Sequence, residues 1–250
     1  MFYLEIKDLK LVKVSDRIYY LPHLEEFDWC TLGLVIGDEH VLMMDSGASD
    51  RHVAQFFAQL DENNLPRPDT VALTHWHWDH TYGLAHIKNT VSFANKDTNR
   101  QIEKMQTWEW TDEAMKRRLE SGEDLAFSYP HINGEYPDKS RIKIAKATVE
   151  YDDKLLLDLG GVHVRMQKIE NSHSYDCSVF YIEEEKTIFL GDIRYEDLLP
   201  LKPVYYADSH EKLITGLRKY DFDKVISGHQ PLMSADELYA QLAAVQTTER

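Results

Sequence analysis

Seven consecutive residues, Thr74-His75-Trp76-His77-Trp78-Asp79-His80, constrain this chain more than any other stretch. Three imidazoles and a carboxylate within six positions exceed what core packing asks of a sequence. They follow Val71-Ala72-Leu73, a short apolar run that reads as a buried strand. Open α/β sheets bind ligands beyond the carboxyl ends of their strands, so a cluster in that place reads as a site. Imidazole nitrogen and carboxylate oxygen are donors that zinc takes at about 2.0–2.2 Å. His75 and His77, two apart in an extended segment or tight turn, can present their rings on one side. Asp79 and His80 lie past the bend, where they can serve a second metal ~3.5–4 Å from the first.

The pattern His75-x-His77-x-Asp79-His80 resembles the signature of the metallo-β-lactamase-fold hydrolases. Ser172-His173-Ser174-Tyr175 resembles the family's third motif, and Gly228-His229 its last. The resemblance implies a four-layer αββα sandwich. It also implies a first metal held by His75, His77 and His173, and a second held by Asp79, His80 and His229, with Asp192 bridging the two. Asp45 matches the family's Asp-Thr-Gly position, behind the ligands, where it can fix the tautomer of an imidazole. The chain departs from the pattern at Ser172 and Tyr175, and carries bulky Trp76 and Trp78 between ligands. These departures bear on pocket shape, not on donor atoms. The resemblance spans roughly residues 30–95 and 150–245.

The chain order fits that reading. Strands are expected at Leu11–Val14, Arg17–Leu21, Thr31–Ile36 and His40–Met44, the last running into Asp45. Asp50 is expected to cap a helix bearing Val53, Phe56, Phe57 and Leu60 at helical spacing. After the metal-loop strand comes Thr90–Ala94. Strand signals resume at Lys143–Glu150, Leu155–Leu157, Val162–Gln167, Cys177–Ile182 and Thr187–Leu190, which leads into Asp192. Ser209 is expected to cap a helix with Leu213, Ile214 and Leu217 on one face. Lys224–Ser227 forms a strand entering His229. The box Ser234-x-x-Glu237 opens a last helix with Leu238, Leu242 and Val245. In each half, a strand ends on an aspartate, a helix follows, and another strand ends on histidine.

Residues 96–141 fall outside the resemblance. They are charged and aromatic, and predict a helix from Asp97 or Thr98, another over Asp112–Leu119, and a loop after Gly122. Long excursions of this kind are often lids. Trp108, Trp110, Phe127 and Tyr129 are the candidate substrate-pocket rings, with packing on the sheet edge as the alternative.

Residues 1–250 are expected to form one metallo-β-lactamase-like domain. With 43% hydrophobic and 28% charged residues, the composition is that of a soluble globular chain. A net charge of −15 without a basic run disfavours nucleic acid as a partner. Cys30 and Cys177 read as structural thiols. The first eight residues lack the apolar core of a signal peptide, and no run approaches the ~18 residues of a membrane span, so a cytoplasmic location is expected.

The expected function is a dinuclear zinc-dependent hydrolase, with Mn²⁺ or iron as other metals. A metal-bridging hydroxide would attack an ester, lactone, thioester, amide or phosphoester of a small molecule, and Asp79 would carry the proton. An iron-containing redox member of the fold and a non-catalytic metal-binding module are the alternatives. Oligomeric state is not legible.

Overall fold

A computed structural model describes residues 9–199 and 202–249. The signal-peptide reading of residues 1–8 lies outside the described residues. Two sheets carry the chain. The first contains β1 (Val12–Lys13), β2 (Ile18–Leu21), β3 (Leu32–Ile36), β4 (Val41–Met44), β5 (Thr70–Ala72), β6 (Val91–Asn95) and β7 (Val149–Tyr151), in that spatial order. The second contains β8 (Lys154–Asp158), β9 (His163–Lys168), β10 (Ser178–Ile182), β11 (Thr187–Phe189), β12 (Lys224–Ser227) and β13 (Gln230–Ser234), again in sequential order across the sheet. The pairs β4–β5, β5–β6, β6–β7 and β11–β12 are parallel, and the others are antiparallel.

Strand periodicity builds the layers. On β2, Ile18 and Tyr20 face the second sheet while Tyr19 and Leu21 face the outer helices. On β4, Leu42 and Met44 point inward and Met43 outward. On β10, Phe180 and Ile182 meet the first sheet, whereas Val179 and Tyr181 meet helices on the far side. Because side chains alternate across a strand, a sheet covered on both faces reads as a continuous apolar run. Outside the first sheet lie α1 (Asp50–Glu62), the short α2 (Trp78–Thr81), α3 (Lys96–Met105), α4 (Asp112–Ser121) and α5 (Ser128–Glu135). Outside the second lie α6 (Ala207–Leu217) and α7 (Ala235–Ala243). The result is the expected four-layer αββα arrangement.

Several local expectations are corrected. Ser49, not Asp50, caps α1, its hydroxyl accepting from the His52 N–H. Helix α6 starts at Ala207, so Ser209 sits inside its first turn without capping it. Of Lys143–Glu150, only Val149 and Glu150 enter a strand, β7, which runs on to Tyr151. Gln230–Ser234 is an unexpected strand, which tolerates Pro231 because β13 lies at a sheet edge. Helix α7 ends at Ala243, short of Val245, although its capping box forms as expected. The stretch after Gly122 contains α5, not only loop. Among the described residues, no helix is long and apolar enough to cross a membrane.

Candidate metal centre

Each strand that ends on the same rim delivers a polar side chain. Past β4, Asp45 takes a left-handed backbone (φ 59°) and is fully buried. Past β5 come Thr74, His75 and His77, and α2 then carries Asp79 and His80. The β9–β10 connection carries His173, the turn after β11 carries Asp192, and the turn after β12 carries His229. These donors come from both sheets, and they meet.

They meet as two groups. In one, ring nitrogens of His75, His77 and His173 lie within 4.8 Å of one another, and in the other the same holds for one atom each of Asp79, His80, Asp192 and His229. The His173 and His77 nitrogens are 3.0 Å apart. Tetrahedral ligands at zinc–nitrogen distances would be separated by about 3.3 Å. Asp192 Oδ2 lies between the groups, 3.4 Å from His80 Nε2, 3.3 Å from His229 Nε2 and 3.7 Å from His173 Nε2. Asp79 Oδ2 is 3.1 Å from both His80 Nε2 and His229 Nε2.

The buried hydrogen bonds behind the donors decide which atoms face the centre. His80 Nδ1 donates to Asp45 Oδ2 at 2.7 Å, leaving Nε2 for the centre. The other Asp45 oxygen accepts from the Thr74 N–H at 2.7 Å and its hydroxyl at 3.0 Å. His173 Nδ1 donates to the Glu196 carbonyl at 2.9 Å, so its Nε2 faces His77. His75 Nε2, His80 Nε2, Asp79 Oδ2 and Asp192 Oδ1 are buried without hydrogen-bond partners. Buried polar atoms are ordinarily satisfied, so four such orphans converging on one point fit a cation.

The electrostatics agree. Burial pushes His75 and His77 well below the ordinary imidazole range, favouring the neutral form that ligates. Burial also opposes charge on His80 and His229, yet the Asp79 and Asp192 carboxylates hold both imidazoles well above their usual range. Burial would raise both acids, but His80 and His229 hold the Asp79 and Asp192 carboxyls well below the usual carboxylate range. The site therefore keeps two ionised carboxylates in a dry place, balanced by the His80 and His229 imidazoles.

Two surrounding features hold the loops together. The Trp76 indole donates to Ser174 Oγ at 3.1 Å, tying the β5 loop to the β9–β10 loop. Cys30 is buried with its thiol pushed up to about 12, first by burial, and it donates to the Asp79 carbonyl at 3.0 Å. Cys177 is likewise a free, buried thiol.

Five of the donors, His77, Asp79, His173, Asp192 and His229, floor a cleft of about 350 Å³, lined also by His23, Glu25, Asp28, Phe127, Tyr195 and Glu196. Burial, then His229, push His23 below its usual range. Of the four rings expected at the pocket, Phe127 lines this cleft and is 51% exposed. The others are placed elsewhere. Trp108 and Trp110 pack on the outer core, 5.8 Å apart, with the Arg118 guanidinium over both and Tyr82 5.7 Å from Trp110. Tyr129 sits with Asp112, Lys116 and Leu119 in a separate surface hollow. Glu25, Asp28, Tyr195 and Glu196 escaped the sequence reading. The acidic run Glu25-Glu26-x-Asp28 was their one visible signal, and it resembles any solvated face.

Residues 30–229 match the family model of the metallo-beta-lactamase superfamily. The chain belongs to this family. No curated protein sequence matches it. Among solved structures, a metallo-beta-lactamase from Pontibacter korlensis is similar at 14% identity and TM-score 0.66, covering 94% of this chain and 97% of that one. The stereoselective inverting sec-alkylsulfatase Pisa1 from a Pseudomonas species is similar at 15% identity and TM-score 0.67, over 94% of this chain but only 40% of its own. The DIM-1 metallo-beta-lactamase is similar at 17% identity and TM-score 0.62, with 94% and 95% covered. At these identities the likeness speaks for the fold alone. Two such donor groups in a metallo-beta-lactamase-superfamily chain imply use of a divalent metal.

Proposed function

We propose that this superfamily member is a dinuclear zinc-dependent hydrolase of a small molecule, working as one domain over residues 1–250. The observation that carries this reading is the position of Asp192 Oδ2 between two separate donor groups on the floor of a cleft. His75, His77 and His173 would hold one cation, Asp79, His80 and His229 the other, and Asp192 both. When bound, such cations supply Lewis acidity and lower the pKa of water from 15.7 to about 7.

The chain's own groups account for the remaining work. Asp79 lines the cleft as well as the donor cluster, so its carboxylate can take the proton lost by water and return it to the leaving group. Asp45 and the Glu196 carbonyl keep His80 and His173 in the tautomers that present Nε2. Leu125 and Phe127, from the 96–141 segment, form one wall, where they can exclude water from part of a bound substrate. Through these residues the segment would serve as a lid, with Trp108 and Trp110 as its scaffold.

Elemental analysis of protein purified with zinc in excess should give close to two ions per chain. The same protein should hydrolyse at least one member of a chromogenic ester, lactone, thioester, amide and phosphodiester panel. Failure to bind any transition metal would overturn the reading.

A further inference from the structure

We infer that the cleft selects substrates carrying a cationic, ammonium-type group beside the scissile bond; the inference rests on the hydrolase reading above. Beyond the ligand set, three carboxylates line the cleft, Glu25, Asp28 and Glu196, and among the described residues lining it there is no lysine or arginine. Arg194, next to Tyr195 in sequence, stacks its guanidinium on the Tyr195 ring and bonds Gln241, so it is otherwise engaged. The adjoining cavity of about 690 Å³ shares His77 and His173 with the cleft and does contain lysines. Both are held by acids: Lys168 by Asp97 at 2.5 Å and Lys104 by Glu123 at 2.8 Å. Glu170 and Asp197 line the same cavity.

Charge balance decides the sign. Two dications held by the Asp79 and Asp192 carboxylates would carry a surplus of two positive charges. Glu25 and Glu196 offset that surplus and Asp28 adds a partial charge, so the cleft stays slightly acidic with its metals in place. Crowding shows at Asp28, whose carboxyl is pushed up to about 7 by burial and then by the Asp79 carboxylate. The floor meanwhile presents the buried, unpartnered Asp79 Oδ2 and Asp192 Oδ1. The same cleft is lined by Phe127, half exposed, and by Leu125 and Leu198. Carboxylates and an aromatic ring lining one cleft suit a quaternary ammonium group, which gains from both ion pairing and the ring's quadrupole. It repels sulfate, sulfonate and carboxylate groups.

The test uses zinc-loaded protein and thioacetates that differ only in the terminal group: trimethylammonium (acetylthiocholine), tert-butyl, and sulfonate. The kcat/KM order should be ammonium above tert-butyl above sulfonate, with at least tenfold between the ends. Independently of turnover, calorimetry should find benzyltrimethylammonium bound at least tenfold more tightly than benzenesulfonate. Added salt should shrink that ratio. The double variant Glu25→Gln/Asp28→Asn should bring it near one, and asparagine keeps the left-handed backbone that residue 28 needs (φ 53°). Equal or tighter sulfonate binding, no detectable ammonium binding at millimolar concentration, or a ratio untouched by the double variant would overturn the inference. A binding preference without hydrolysis of any thioester or panel compound would instead sink the hydrolase reading and leave the selectivity standing. Fast hydrolysis favouring the sulfonate would do the reverse.

Discussion

At the scale of single residues, the centre depends on side chains that never face it and on one that is absent. Asp45 fixes His80 through one oxygen and the Thr74 backbone through the other. Gly228 is the absent side chain, since a Cβ there would lie 1.9 Å from Asp192 Oδ1 and 3.2 Å from His80 Cε1. Gly228→Ala should therefore turn the Asp192 carboxylate aside, and metal stoichiometry by elemental analysis should fall from about two toward one. Asp79→Asn keeps an oxygen but not the charge, so kcat on a substrate of the panel should fall by about 10²–10⁴-fold with metal retained. Asp176 offers a pH test away from the donors. Burial pushes its carboxyl up to about 6, against an ordinary value near 3.9. Protonated, it suits the fold; its contribution is full below about pH 4 and is lost as pH rises through about 6. Asp176→Asn should thus gain stability over the wild type between pH 5 and 7.5, by up to about 2–3 kcal/mol in urea unfolding. A constant difference across that range would contradict the assignment.

At the scale of elements, legibility followed from how local the signal is. Most donors were readable because they follow closely on strands that announce themselves by apolar runs, and His173, in the β9–β10 loop, was readable only through its motif. The Ser234–Glu237 box was readable because capping is a four-residue affair. Helix α5 was not, since Pro130 and Gly134 both argue against a helix. Proline is tolerated there because it falls in the first turn, where backbone N–H groups lack intrahelical partners. What holds α5 is tertiary. The Glu135 carboxylate, with a side chain only 1% exposed, accepts from Arg51 at 2.5 Å and Trp29 at 3.2 Å, and Ser49 also bonds to it. No sequence pattern shows a contact between positions 29 and 135. The same limit explains the aromatic rings: composition says that they bury surface, not which surface. Gly134 faces open space, so Gly134→Ala should raise stability by roughly 0.5–1 kcal/mol, read as a higher Tm. A fall in Tm would mean that the backbone at this position is not helical.

At the scale of the whole molecule, the four-layer arrangement was anticipated by the resemblance and by the matching strand–helix–strand unit in each half, whereas the order of strands within each sheet had no signal in the sequence. The acidic cleft was not anticipated, because Glu196 joins the Glu25–Asp28 run from a distant part of the chain. A net charge of −15 disclosed the excess of acid without saying where it gathers.

The donors are drawn from the ends of β5, β11 and β12 and from the β9–β10 loop, so the centre fastens the two sheets along one edge. Whatever fills it binds the folded chain and not the unfolded one. At a thousandfold excess over Kd this linkage is worth about 4.1 kcal/mol per site. Chelation should accordingly lower Tm and raise the cleaved fraction in pulse proteolysis, while an unchanged cleaved fraction would show the sheets to be held by their core alone. The corollary concerns supply. When its metal is scarce, the protein would be lost by degradation as well as by idleness, so its abundance would itself report the metal status of its surroundings.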